Sequence, residues 1–152
     1  NHGLQPKDMA DVIEGRRDGD KAAALEAFRQ YGEVAGDAMA TAMTLTDSLI
    51  VIGGGITHNS KYIWPALLGE MRCTLRSAGG DEINRMQMEV FNLDNEAEFE
   101  RFARGAARKI KVFGSDDEVV YDPMKCSGIA KSKLGASKAI AIGAYAFALA
   151  NL

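Results

Sequence analysis

Leu49-Ile50-Val51-Ile52-Gly53-Gly54-Gly55-Ile56-Thr57 is the stretch that decides the fold. Four apolar residues, three of them β-branched, form a run too short for a helix and stop at three glycines. Such a run predicts a central strand buried on both faces, as in parallel or mixed α/β sheets. Glycines at the end of that strand leave backbone N–H groups uncovered at the C-terminal edge of the sheet, where open α/β sheets bind their ligands. Without a Cβ, a flat ring or a phosphate can approach the backbone there. Thr57 or Asn59 is placed to cap the helix that follows. A tight strand-to-helix turn with no ligand has the same composition, and triple glycine is neither a Walker A sequence nor a dinucleotide fingerprint. The residues by themselves leave both readings open.

Upstream of the strand, the chain begins with a polar, loop-like lead that includes His2, read as unstructured. Asp18-Gly19-Asp20 then offers a helix start, because Asp is a favoured N-cap and its charge suits the positive end of a helix. Leu25, Phe28, Gly32, Ala35, Met39 and Ala42 recur at helical spacing and predict one face of a long amphipathic helix to about Thr44. Gly32, Ala35, Gly36 and Ala38 make part of it nearly bald, which lets another backbone come close.

Downstream, Ile63, Ala66, Leu67, Met71 and Leu75 predict a helix over about 59–75, with Pro65 tolerable only in its first turn. Met86 to Leu93 alternates like a strand with at least one buried face. Glu96 to Ala107 reads as a short charged helix bearing Phe99 and Phe102. Lys109–Phe113 and Glu118–Tyr121 flank a polar Gly114–Asp117 tip and read as a hairpin. Lys125-Cys126-Ser127-Gly128 lacks a paired base and a nucleophile elbow, so it reads as a loop. From Lys133 or Ser137 a last helix begins, and Ala139 to Ala150 carries no charge on any side. A helix apolar all round is buried by something. With no repeat or linker, residues 1–152 are expected to form one domain of class α/β, a mixed sheet with packed helices.

Composition narrows the function. The chain has 152 residues, 47% hydrophobic and 26% charged, enough to bury about two-thirds of its unfolded surface. Eighteen Lys+Arg against 21 Asp+Glu give a net charge of −3 without single-sign blocks. That argues against a nucleic-acid surface, which needs clustered basic residues to release counterions. The longest uncharged stretch, Ala139 to Leu152, is too short to span a membrane. Cys73 and Cys126 sit in no metal or disulfide spacing and are expected to be free thiols in a reducing cytoplasm. Beginning at Asn1-His2-Gly3-Leu4 without an initiator Met, the chain reads as a piece cut from a longer polypeptide.

Two segments carry a family resemblance. One runs from Gly19-Asp20-Lys21-Ala22-Ala23-Ala24 through the long helix to Ser48–Ile56. The other is Leu134-Gly135-Ala136-Ser137-Lys138-Ala139-Ile140-Ala141-Ile142-Gly143-Ala144-Tyr145. Together they cover about half of the chain and resemble the C-terminal half of ROK-family proteins, a group of bacterial sugar kinases, including glucokinases, and sugar-responsive repressors. The stretch from about Ser77 to Ser132 matches less well. The resemblance implies a ribonuclease-H-like lobe of actin/hexokinase type, in which two lobes close over ATP with Mg²⁺ and a hexose. It also implies that Gly53, Gly54, Gly55 and Ile56 contact adenine and ribose and that Gly135 lies near the base end of the nucleotide.

The family's phosphate loop, Asn-Asp catalytic pair, Glu-x-Gly-His sugar contact and cysteine-rich zinc motif are not found in residues 1–152, so no catalytic or metal-binding residue is assigned. The leading reading is the nucleotide-side lobe of an ATP-dependent sugar kinase, inactive by itself and partnered by a missing N-terminal lobe. The alternatives are the effector-binding half of a ROK-type transcriptional repressor and an α/β interaction module without a ligand. In the family the last helix would cross the junction with the missing lobe. One of its faces is expected to pack on the chain's own sheet, leaving the other uncovered. That predicts a helix either paired with a second copy, as a homodimer, or displaced.

Four lesser candidates have bland readings. Asp116-Asp117-Glu118 could hold a divalent cation but reads as a solvated tip. His58 could touch a phosphate or ribose but reads as an exposed loop residue. Trp64 could stack on adenine but reads as core or interface. Met39, Met43, Met86 and Met88 read as core fillers.

Overall fold

Close approach of two helices organises the molecule. A computed structural model describes residues 3–151, so the reading of His2 lies outside the described residues. Helix α1 (Pro6–Ile13) leads into the long α2 (Lys21–Thr46), whose N-cap Asp20 accepts the Ala23 N–H at 3.0 Å as expected. The helix ends where Asp47 turns left-handed, at φ 48°. Along α2 the buried positions are Ala24, Phe28, Gly32, Gly36, Ala40 and Met43. This stripe is rotated from the predicted one: Ala35 and Met39 only flank the core, Ala42 is exposed and Leu25 is 40% exposed.

The reason for the rotation is the partner. A Cβ built on Gly32 would stand 2.7 Å from the Ile63 carbonyl oxygen, and one on Gly36 would stand 2.5 Å from the Leu67 carbonyl oxygen. The bald stripe therefore faces the backbone of α3 (Ser60–Arg72), and the two small residues set the contact face. Ile63, Leu67 and Met71 of α3 are fully buried. Pro65 lies at the sixth helical position, past the first turn where it was expected. It withholds only the N–H that would have bonded the Lys61 carbonyl.

Strand β1 (Ile50–Ile52) pairs in parallel with β7 (Cys126–Lys131), which pairs in parallel with β4 (Glu89–Asn92) on its other side. The order β1-β7-β4 corrects two expectations. First, β1 is an edge strand, with Val51 65% exposed. Second, the central strand is β7, whose first residues read as a loop in the sequence. A Ser-Gly pair conceals it: Ser127 is buried with its hydroxyl donating to the Ser48 carbonyl at 3.0 Å. Gly128 sits where a Cβ would strike the Leu93 side chain at 2.7 Å.

The remaining elements flank this sheet. An unpredicted hairpin of β2 (Thr74–Arg76) and β3 (Glu82–Asn84) follows α3. Arg85, just past it, pairs with Asp37 of α2 and with Glu70 of α3, the latter at 2.9 Å. In β4 both Val90 and Phe91 are buried, so the strand is covered on both faces. Helix α4 (Glu96–Arg104) stops at Gly105, φ 60°, and sets Phe102 edge-on against Phe91 at 5.7 Å. The predicted hairpin is present as β5 (Arg108–Lys111) and β6 (Glu118–Tyr121), exposed throughout.

Helix α5 (Ala136–Ala150) has no buried residue, so neither face packs on the chain's own sheet, against expectation. Its apolar surface finds no cover within the described residues. Among the described residues no helix is long and apolar enough to cross a membrane.

Candidate functional site

The C-terminal ends of the three parallel strands are tied into one edge. Ser132 donates its N–H to the Ile52 carbonyl at 2.8 Å, and Leu93 donates its N–H to the Ile129 carbonyl at 2.9 Å. The Lys131 N–H points at both carboxylate oxygens of Asp94, each at 3.2 Å. Its ammonium lies 3.4 Å from the Ser60 hydroxyl and 3.9 Å from Asp94. Lys131 escaped the sequence reading because β7 did; a basic residue closing an Ile-Ala pair was its only signal.

On this edge the glycine turn stands open. Gly54 adopts φ 90°, a conformation that glycine alone enters freely. Cβ atoms built on Gly54, Gly55 and Gly135 would meet nothing within 4 Å, and one on Gly53 would touch only Ser132, at 3.7 Å. The contact with Ser132 brings the turn to the end of β7. Gly135, at φ 75°, is the N-cap of α5 three residues further on. The two sequence segments that carry the family resemblance thus end on one side of the sheet.

From Gly55 to Asn59 the chain forms a 3₁₀ turn. Thr57 does not cap α3 as expected; its hydroxyl donates to the Gly54 carbonyl at 2.7 Å and tightens the glycine turn. The His58 Nδ1 lies 3.0 Å from the Gly55 carbonyl and so carries the proton, leaving Nε2 facing outward. Asn59 occupies the N-cap position of α3 without a side-chain capping bond.

Between this 3₁₀ turn and α1 runs a groove of about 640 Å³. Gly55, Ile56, His58 and Asn59 line one side, and Pro6, Lys7, Ala10, Asp11 and Glu14 of α1 line the other. Gly53, Gly54 and Gly135 are outside it. Helix α1 lies in the lead that the sequence pattern gives as loop, although Pro6 at the first helical position, Asp8 in the first turn and the spacing of Met9, Val12 and Ile13 all signal a helix. Ala10, Val12 and Ile13 are buried, which fixes the helix to the body.

Glu14 locks that wall. Its carboxylate accepts from Lys61 at 2.7 Å, from the Tyr62 hydroxyl at 3.0 Å and from Arg16. These donors, Lys61 foremost, lower its pKa from 4.5 to about 2. Asp11 is held by Arg16 as well, at 2.6 Å. The carboxylates of the groove therefore already have cations.

The lesser candidates fall elsewhere. Trp64 is buried in the core, its indole N–H without a partner. Asp116 pairs with Lys111 at 2.8 Å on the hairpin tip, and Asp117 accepts from the Ser115 hydroxyl at 2.7 Å. Met43 and Met86 are buried, whereas Met39 and Met88 pack against the core from its margin. Both cysteines are free, and burial pushes the Cys126 thiol up.

Among solved structures, the chain is similar to the crystal structure, at 3.00 Å resolution, of a glucokinase from Parabacteroides distasonis ATCC 8503. The two are 48% identical with a TM-score of 0.81, over 100% of this chain and 41% of that one. This chain thus spans about two-fifths of the glucokinase's length and shares its fold there. No family model and no curated protein matches it.

Proposed function

We propose that this chain is the nucleotide-binding lobe of a ROK-type, ATP-dependent sugar kinase, an actin/hexokinase-type lobe that works with an N-terminal lobe on the same polypeptide in the cytoplasm. The observation that carries the reading is the 48% identity to a glucokinase along the whole chain. The open glycine turn at the carboxyl edge of a parallel sheet supports it independently, because that edge is where such sheets hold ligands. That the similar structure is a kinase favours the kinase over the repressor reading.

The reaction of the whole protein would be transfer of the γ-phosphoryl of ATP to a hexose hydroxyl. In it, Gly53, Gly54, Gly55 and Ile56 would accept adenine and ribose against bare backbone, with Gly135 near the base end. Mg²⁺ neutralises phosphate charge in such transfers. Among the described residues no three His, Cys, Asp or Glu side chains gather to hold a metal. A Mg²⁺ ion would arrive on the ATP phosphates, its usual ligands beside water, and no residue of this chain is assigned to it. The general base and the phosphate loop belong to the other lobe.

Helix α5 fits the same reading. Its large residues fall on two opposite faces, Ile140 with Phe147 and Ile142 with Tyr145 and Leu149, and all five stand exposed. Apolar surface of that extent is seldom left in water, and the expected cover is the other lobe or a second copy in a homodimer.

Calorimetry with ATP, beside a coupled assay of hexose phosphorylation, tests the proposal. The chain is expected to bind ATP and to turn over no hexose, while a polypeptide extended by the N-terminal lobe does both. Failure to bind ATP, or turnover at the rate of the extended protein, would overturn the reading.

A further inference from the structure

We propose that one face of the hairpin formed by β5 and β6 is a homotypic docking surface, on which a second copy of this chain packs the same face of its own hairpin about a two-fold axis. The proposal is independent of the nucleotide-binding reading above.

The strand register sorts the hairpin into two unlike faces. Arg108 pairs with Tyr121, and Ile110 pairs with Val119. One step towards the tip, Val112 donates its N–H to the Asp117 carbonyl at 2.9 Å. Alternate residues of a strand share a face, and directly paired residues share it too, so these six side chains stand together. Lys109, Lys111, Glu118 and Val120 take the other face. Its charges are settled within the hairpin: Lys109 lies 3.6 Å from Glu118, and Lys111 pairs with Asp116 at 2.8 Å. The first face instead has an apolar centre of Ile110, Val112, Val119 and Tyr121, all exposed. A two-stranded hairpin with its apolar face in water is marginal at best, so this face needs a cover.

Charge identifies the cover. Among the described residues Arg108 makes no ion pair, and the Asp117 carboxylate accepts only from the Ser115 hydroxyl, at 2.7 Å. These two charges stand at opposite ends of the apolar centre. A two-fold axis running across the strands at Ile110 and Val119 lays the row of Arg108 and Tyr121 of each copy over the row of Val112 and Asp117 of the other. Stacked sheets lie about 10 Å apart, a gap that arginine and aspartate side chains bridge from its two sides. Each free charge then meets its opposite, twice over, while the apolar centres cover one another. Such self-complementarity is what an isologous interface requires. Two strand edges are closed to the same neighbour. Arg108, Lys109 and Lys111 charge the β5 edge, which discourages strand addition. On the outer edge of β4, Arg72 Nε donates to the Val90 carbonyl at 2.9 Å and Glu98 accepts the Asn92 N–H at 2.7 Å.

A patch of six side chains belongs with the small, transient interfaces, so dimerisation is expected in the range of about 10 to 100 μM. Sedimentation velocity across that range tests this, on the chain and on the polypeptide extended by the N-terminal lobe. The wild type should pass from monomer to dimer, and Val119→Lys should stay monomeric. By symmetry, Arg108→Asp or Asp117→Arg alone creates two like-charge contacts and should weaken the dimer by about tenfold. The double variant exchanges the charges and should recover wild-type association. All three positions are exposed, and that recovery is a readout that a folding defect would not give. A wild type that stays monomeric throughout, a dimer that Val119→Lys leaves intact, or a double variant no better than either single one overturns the proposal.

Discussion

Two pairs of glycines in this chain do opposite things. At Gly32 and Gly36 an added Cβ would meet carbonyl oxygens of α3 at 2.7 and 2.5 Å; at Gly54 and Gly55 it would meet nothing within 4 Å. The first pair is small so that protein can approach protein. The second is bare where the protein leaves room. A glycine justified by a neighbour belongs to the core, and one facing empty space beside a groove is a candidate for contact with something else.

The comparison is broken most directly at Gly36. Gly36→Leu forces a side chain against the Leu67 backbone, which cannot swing aside as a side chain would. Overpacking of this kind costs roughly 3 kcal/mol, readable as a fall in the urea midpoint. An unchanged midpoint would mean that the two helices sit further apart than described.

Gly55→Val makes the opposite test. With no atom in its way, stability is expected to hold within about 0.5 kcal/mol. The branched side chain would fill the groove and weaken ATP binding by about tenfold or more, or about 1.4 kcal/mol. Gly54 is a poorer choice for this test, since its φ of 90° would strain any side chain whatever the ligand.

How far the residues alone reach follows the same line. The glycine turn, the long helix with its Asp20 cap, the bald stripe and the polar-tipped hairpin all declare themselves through local patterns. The central strand β7 does not, because its Ser127-Gly128 start is explained only by Ser48 and Leu93, far away in sequence. Edge and centre are likewise settled by pairing, so Val51 reads in the sequence as a core residue although it is exposed. Gly55 and Ile56 could be named in advance, but the groove could not, since its far wall is a helix hidden in a polar lead. Asn59 reads in the sequence as a possible cap, and only the structure shows that its side chain makes no capping bond.

A third kind of glycine sharpens the contrast. Gly69 is exposed inside α3, where an added Cβ meets nothing and no positive φ is needed. It serves neither contact nor access in this structure. Gly69→Ala should therefore raise stability by about 0.5 to 1 kcal/mol, through helix propensity and a less mobile unfolded chain. Thermal unfolding checks it. A loss instead would reveal that this face of α3 is covered by something outside the described chain.

The smallest effect is expected at the groove's α1 wall, and it depends on pH. Glu14 has its pKa lowered from 4.5 to about 2 by Lys61, Tyr62 and Arg16. A carboxylate depressed in the folded state contributes stability that is fully present above its unfolded pKa and is lost as pH falls through the folded value. Here the window is from about 4.5 down to about 2. Glu14→Gln removes the charge and should unfold more easily than wild type at neutral pH. The difference should shrink across that window and vanish near its lower end. Glu26, lowered to about 2 chiefly by Arg29, titrates alike in both proteins and cancels in the difference. Because the Glu14 ion pairs lie at the surface, the gap should be small and should narrow further in high salt. A gap that persists at pH 2 would show that the amide disturbs the packing of α1 on Lys61 and Tyr62, and that the wall of the groove is held by shape rather than by charge.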